Sequence, residues 1–223
     1  MRFLKETRMK YSKMLFAVFA AMSVLTACGD DSSNSASNGT ISFGTLADSR
    51  DGQTYKTVQI GNQVWMAENL DFKTADSYCY NDSTEYCEKY GRLYTWATAK
   101  ESCPMGWHLP SKEEWLTLFA VVGDSSSACQ GLKSTNGWFD NLNGTDDVGF
   151  SMLPGGFRDV GGTYLNEKRV AFFWSSAEND NSFAYYMSFV STSSAKLNDP
   201  SLKLDYKNEA LSVRCIKELS GEL

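Results

Sequence analysis

Apolar and polar positions fall along the chain in blocks whose spacing predicts particular elements. Thr54-Tyr-Lys-Thr-Val-Gln-Ile60 alternates with period two, Gly61-Asn62 breaks it, and Gln63-Val-Trp-Met66 resumes it. Two such runs around a two-residue, glycine-first turn predict a β-hairpin. Between Tyr90 and Glu101, Leu93, Trp96 and Ala97 share one side, which predicts a short helix. Ser111-Lys-Glu-Glu114 is a capping box: the Ser111 hydroxyl accepts from the third amide of the helix while Glu114 reaches back. Trp115, Leu118, Phe119 and Val122 follow at helical spacing and Gly123 stops the helix. Gly123-Asp-Ser-Ser-Ser-Ala-Cys-Gln-Gly131 then reads as a loop, and the remainder is loop-rich. Short strands are predicted at Ala171–Ser175, Phe183–Val190 and Leu211–Ile216, the last two alternating as half-buried strands do. Helices early and strands late predict an α+β domain with two short helices and a small antiparallel sheet joined by long loops.

The N-terminus carries a different pattern. Arg2, Lys5, Arg8, Lys10 and Lys13, with one acid at Glu6, precede an apolar run from Met14 to Ala27. That run is 14 residues long, short of the about 20 that a spanning helix needs. A basic start, a short apolar stretch and small residues before a cut describe a secretory signal over 1–27. Leu25-Thr26-Ala27-Cys28 resembles the lipobox of bacterial lipoproteins, which implies acylation of Cys28 and a membrane anchor of several chains. Gly29-Asp30-Asp31 resembles the acidic export signals of some outer-membrane lipoproteins, so an outer-membrane position is expected, its periplasmic or surface face left open. Residues 28–44 are then the acylated Cys28 and a polar linker, since Asp30 to Gly39 holds almost nothing that could be buried to offset chain entropy. A single globular domain is expected over 45–219.

Charge and cysteines narrow the classes. Five basic and one acidic side chain leave with the signal, so the net charge moves from −6 to −10. A surface that acidic repels polyphosphate and argues against nucleic acid as a partner. Once Cys28 is lipidated, five cysteines remain in a compartment where disulfides persist. Cys79 and Cys87 bracket a polar loop and suit a local bridge. A bridge between Cys103 and Cys215 would close about 112 residues and stabilise by about 4–5 kcal/mol in the chain-entropy model. Cys129 is the odd member, a thiol or a link to another chain. A zinc site is disfavoured by the single His and the lack of any Cys-x-x-Cys.

Several ordered motifs resemble one family. They are Asp51-Gly-Gln-Thr-Tyr-Lys-Thr-Val-Gln-Ile-Gly61, Trp65-Met-Ala-Glu-Asn-Leu70, Tyr90-Gly-Arg-Leu-Tyr-Thr-Trp96, Cys103-Pro-Met-Gly-Trp-His-Leu-Pro-Ser111, Gly149-Phe-Ser-Met-Leu-Pro-Gly-Gly156, Phe173-Trp-Ser-Ser176 and Ser212-Val-Arg-Cys215. In this order, from about residue 45 to 217, they resemble the Fibrobacter succinogenes major paralogous domain. That family is similar in turn to the sulfatase-modifying-factor and C-type-lectin-like fold. The resemblance implies that fold, with Cys103–Cys215 as its long-range bridge, and implies no activity, because fold does not fix function.

Candidate chemistry is sparse. His108 is the only imidazole and sits between Trp107 and Leu109, where a packed, hydrogen-bonded role is expected over a general base. No Gly-x-Ser-x-Gly elbow accompanies it. The formylglycine-generating relatives act through a pair of C-terminal cysteines; here only Cys215 stands in that region, which puts oxidase chemistry in doubt. No cofactor is expected. Asn143-Gly-Thr-Asp-Asp147 gathers oxygen ligands that would suit calcium, against the plainer reading of an Asn-Gly turn with solvated acids. The sugar-binding triads of lectins do not occur, and Glu178-Asn-Asp-Asn181 is only an echo of them. Binding is therefore expected over catalysis: a surface-displayed module for polysaccharide or an envelope protein. Its contact loops would draw on Trp138, Asp140, Asp146, Arg158, Tyr164 and Glu178. The alternatives are an enzyme of the sulfatase-modifying-factor superfamily and a structural envelope lipoprotein.

Overall fold

The computed structural model describes residues 41–123, 125–191 and 201–217. The signal, Cys28 and most of the linker expected at the N-terminus lie outside these residues. Strand β1 (Ser42–Ala47) already begins within the stretch assigned to the linker. It pairs antiparallel with β2 (Thr54–Ile60), which returns through Gly61-Asn62 into β3 (Gln63–Met66). This is the predicted hairpin, with Gly61 at φ 58°, a left-handed angle that glycine adopts without steric cost.

The helix expected over Tyr90–Glu101 is instead three elements. Helix α1 (Thr84–Tyr90) stops at Gly91, Leu93–Thr95 forms a strand, and α2 (Trp96–Ser102) follows. Gly91 sits at φ 71°, and a Cβ there would lie 2.8 Å from both the Asn69 Cβ and the Leu70 carbonyl oxygen. With β4 at Ser77–Tyr78, Leu93–Thr95 is β5; tertiary pairing of Tyr94 with Ser77 and Leu211 overrides the helical spacing. After β6 (Trp107–His108), α3 (Lys112–Val122) begins at the predicted capping box: Ser111 Oγ accepts from the Glu114 amide at 3.1 Å and Glu114 Oε2 accepts from the Ser111 amide at 2.7 Å.

The loop expected over Gly123–Gly131 contains a helix, α4 (Ser125–Leu132). Its buried stripe of Ala128, Cys129 and Leu132 is short and small, so the serines mask it in the sequence. The second half supplies β7 (Phe157–Arg158), β8 (Tyr164–Leu165), β9 (Val170–Glu178), β10 (Phe183–Val190) and β11 (Ser201–Tyr206). The single strand expected at Leu211–Ile216 is split into β12 (Ala210–Ser212) and β13 (Ile216–Lys217).

Among the described residues the fold is thus α+β with four α-helices and two sheets, larger than the two helices and small sheet expected. The five-stranded sheet runs β1-β2-β3-β13-β6. The eight-stranded sheet runs β11-β10-β9-β12-β5-β4, with β7 and β8 attached beside β12. Its pairings are antiparallel except β12 with β9, which is parallel through Ser212 and Phe173.

Two large apolar clusters fill the interior, with a small third one around Tyr80, Leu93 and Ala210. One packs Trp65, Trp115, Phe150, Phe173 and Phe189 with the inner faces of α3 and α4; Trp65 and Trp115 have ring centroids 4.9 Å apart. The other gathers Tyr55, Met66, Tyr94, Trp96, Trp174 and Leu211. Each such side chain contributes about 1.5–3 kcal/mol on burial. Two of the buried indoles donate to main-chain oxygens, Trp174 Nε1 to the Tyr94 carbonyl at 2.7 Å and Trp96 Nε1 to the Ser175 carbonyl at 2.8 Å, whereas the buried Trp115 Nε1 has no hydrogen-bond partner among the described residues. Disulfides Cys79–Cys87 and Cys103–Cys215 staple the domain. Cys129 is fully buried in the first cluster.

Candidate functional site

A cleft of about 880 Å³ opens where five segments meet. Strand β2 supplies Thr54 to Lys56, the chain after β3 supplies Ala67 to Asp71, and the end of α1 supplies Cys87 to Gly91. Ser134–Asn136 and the Asp146–Leu153 region form the facing wall, with Phe43 of β1 at the margin. A volume in this range is typical of ligand sites.

Behind the cleft lies Arg214, whose side chain is fully buried. It is fixed entirely by neutral acceptors. Nε donates to Asn69 Oδ1 at 2.8 Å, Nη1 to the carbonyls of Met66 and Phe150, and Nη2 to the Ser151 carbonyl at 3.2 Å. Burial pushes the guanidinium down to about 9, partly offset by Asp146 and Glu68 nearby. Arg214 therefore ties the Met66–Asn69 wall to the Phe150–Ser151 wall. Asn69 extends the brace, donating through Nδ2 to the Tyr90 carbonyl at 2.7 Å.

At one end a hydrogen-bonded chain orders the lining. Tyr55 donates its hydroxyl proton to Gln53 Oε1 at 3.3 Å and accepts from the Asp71 amide at 3.2 Å. Burial raises the Tyr55 hydroxyl to about 12 and also raises the Asp71 carboxyl, whose buried Oδ1 accepts no hydrogen bond among the described residues. The two lining lysines already face acids: Lys56 lies 3.4 Å from Glu68 and Lys89 lies 3.7 Å from Glu167. At the other wall both Asp146 oxygens accept from Ser151, its amide at 2.7 Å and its hydroxyl at 2.6 Å.

The residues singled out in the sequence scatter. Of the contact-loop candidates only Asp146 lines the cleft. Trp138 is 4 % exposed and packs in the first cluster, its indole N–H donating to Ser134 Oγ at 3.1 Å; it is core and not contact surface. Asp140 is exposed in a tight turn at φ 55°. Arg158 and Tyr164 do come together, the guanidinium lying 4.1 Å from the Tyr78 ring centroid and 5.8 Å from that of Tyr164, whose hydroxyl donates to Asp82. Glu178 pairs with Lys207.

His108 is outside the cleft lining; its Nε2 lies 2.8 Å from Glu114 Oε1, so the acid that caps α3 also holds the imidazole. In the turn proposed for calcium, Asn143 Oδ1 accepts from the Trp138 amide at 3.1 Å and Asp146 is engaged by Ser151. Among the described residues no group of three or more His, Cys, Asp or Glu side chains could hold a metal.

Sequence reasoning missed Phe43, Tyr55, Asp71 and Arg214. A signal existed for Arg214, since in Ser212-Val-Arg-Cys215 a charged side chain stands within a run of buried positions. No such signal marks Asp71, which is only partly buried and whose buried Oδ1 is set by the fold around it.

The architecture and its two bridges make a disulfide-stapled α+β domain, which fits an extracellular setting. The chain belongs to the Fibrobacter succinogenes major domain family, whose model matches residues 58–217. That span covers β3, all four helices, both disulfides and Arg214, along with most of the cleft. No curated protein and no solved structure matches the chain.

Proposed function

We propose that this chain is an exported, lipid-anchored envelope protein whose domain binds an extracellular ligand, a polysaccharide or a partner surface protein, in the cleft between β2 and the Asp146–Leu153 wall. The observation that carries this reading is the cleft itself: about 880 Å³, lined by donors and acceptors, with Arg214 bracing the lining residue Asn69 from behind. Bracing of this kind holds polar groups in place before a ligand arrives, which lowers the entropy cost of binding. The two disulfides and the signal and lipobox pattern ending at Cys28 support an extracytoplasmic position. The resemblance to lectin-like folds belongs to the same reading and adds only that loops of such domains carry recognition.

The test has two arms. Purified 40–223 is screened against glycans and envelope proteins, with Asn136→Ala as the cleft variant. Binding that Asn136→Ala leaves unchanged, in a protein of unaltered melting temperature, moves the site elsewhere. In cells, Cys28→Ser is expected to abolish acyl labelling and release the protein from membranes. Equal labelling of wild type and variant removes the anchor from the proposal.

A further inference from the structure

Phe43 stands at the margin of the cleft on edge strand β1, with 71 % of its surface exposed. A lone exposed aromatic is ordinary on a protein surface. This one has a partner beneath it. Its ring lies directly on Gly149, where a Cβ would stand 2.3 Å from Phe43 Cε1 and 2.7 Å from Cζ. The β1–β2 pairing, Phe43 opposite Val58, fixes the backbone beneath it. One side of the ring is thus seated on a glycine that leaves room for it, while the rest stays open to solvent beside a polar cleft.

The remaining lining says what would use such a ring. Besides the rings of Phe43, Tyr55 and Tyr90 and the disulfide-bonded Cys87, the only aliphatic hydrocarbon side chains in the lining are Ala67 and Leu153, too few for the aliphatic pockets that anchor peptide side chains. Planar amides and carboxylates and small hydroxyls dominate instead, among them Thr54, Thr135 and Asn136. Flat polar groups grip ring hydroxyls, and an aromatic face packs against the C–H face of a pyranose. Five acids line the cleft against two lysines, and both lysines are already opposite carboxylates. An anionic polymer entering there meets uncompensated like charge, and a neutral one does not.

We infer that the ligand of the cleft is a neutral saccharide, one of whose rings stacks on the open face of Phe43, with Gly149 as the seat that holds the platform in position. This rests on the proposed binding role of the cleft and adds its ligand class and its stacking residue. Losing an aromatic contact of this size corresponds to about tenfold in affinity.

The experiment is affinity gel electrophoresis of the purified domain in gels containing xylan, dextran or hydroxyethylcellulose as neutral probes, polygalacturonate as the anionic probe, and a lysine-rich peptide in a separate solution titration. Wild type is expected to be retarded by at least one neutral polymer and not by polygalacturonate. Phe43→Ala is expected to weaken that retardation about tenfold, Phe43→Trp to preserve it, and Gly149→Ala to weaken it by unseating the ring. Matching urea midpoints for the two Phe43 variants show that the comparison is of binding and not of folding.

If Asn136→Ala weakens binding and Phe43→Ala does not, the cleft stands and the stacking platform falls. If neither variant matters, the cleft reading falls with it. Binding of polygalacturonate alone, or of the peptide alone, overturns the neutral-saccharide assignment.

Discussion

Replacing Arg214 is the sharpest test of how this domain is held together. Its guanidinium makes four hydrogen bonds to buried carbonyl and amide oxygens from two separate walls. Charge-assisted bonds of this kind contribute about 1.5–3 kcal/mol each, or about 6–12 kcal/mol before costs. Burial lowers the guanidinium to about 9, so several kcal/mol of that gain go to holding the charged form out of water. The remainder, less what an apolar side chain regains by packing, puts the loss for Arg214→Met at about 3 kcal/mol. Arg214→Lys should lose a comparable amount, because one ammonium cannot span the Met66–Asn69 and Phe150–Ser151 walls together. The assay is urea unfolding followed by tryptophan fluorescence, with an unchanged denaturant slope showing that two-state behaviour survives. A loss below about 1 kcal/mol in both variants would mean that the oxygens find other donors and that Arg214 is not the brace.

Three further outcomes are expected. Removing Cys103–Cys215 by paired serine substitution should cost about 4–5 kcal/mol, since the bridge closes a long loop, while removing Cys79–Cys87 should cost about 2–3; equal losses in denaturant titrations would contradict the loop-length argument. Glu209, partly buried and hydrogen-bonded to Asp205, has its carboxyl raised from 4.5 to about 8. Its proton therefore contributes stability that is complete below about 4.5 and lost as pH rises through about 8. Glu209→Gln should be more stable than wild type at pH 9 by about 1–2 kcal/mol after allowance for solvent screening, with the two converging at pH 4; parallel melting curves across that range would refute it. Ser111→Ala should cost about 1 kcal/mol by opening the capping box of α3, read from the urea midpoint.

What the sequence disclosed depended on whether a feature is local. The hairpin at Thr54–Met66, the capping box at Ser111 and strand β10 rest on period and on neighbours a few residues away, and their spacing shows directly. Tyr90–Glu101 misled because Leu93 and Tyr94 are apolar for the sake of strands β4 and β12, distant in sequence, while their spacing also suits a helix. Helix α4 hides behind serines because its buried stripe needs only Ala128, Cys129 and Leu132. The cleft was the least legible. Its walls come from five segments spread between Phe43 and Leu153, and the contact residues chosen from loop composition included Trp138, whose apolar ring the fold sends inward. Polarity in a loop says that backbone is near water; it does not say which polar side chains converge.

The placement of β12 and β13 bears on when this chain can fold. Each occupies the interior of its sheet, β12 between β9 and β5 and β13 between β3 and β6. Arg214 and Cys215 lie in the short link between them. Among the described residues, every strand pair that joins β1–β6 to β7–β13 passes through residues 210–217. Those residues follow every other described strand of the domain in sequence, so neither sheet can close and the long disulfide cannot form before residues 210–217 have been made. A domain built this way stays open, however well its earlier strands are made, until residues 210–217 are there to join its two halves.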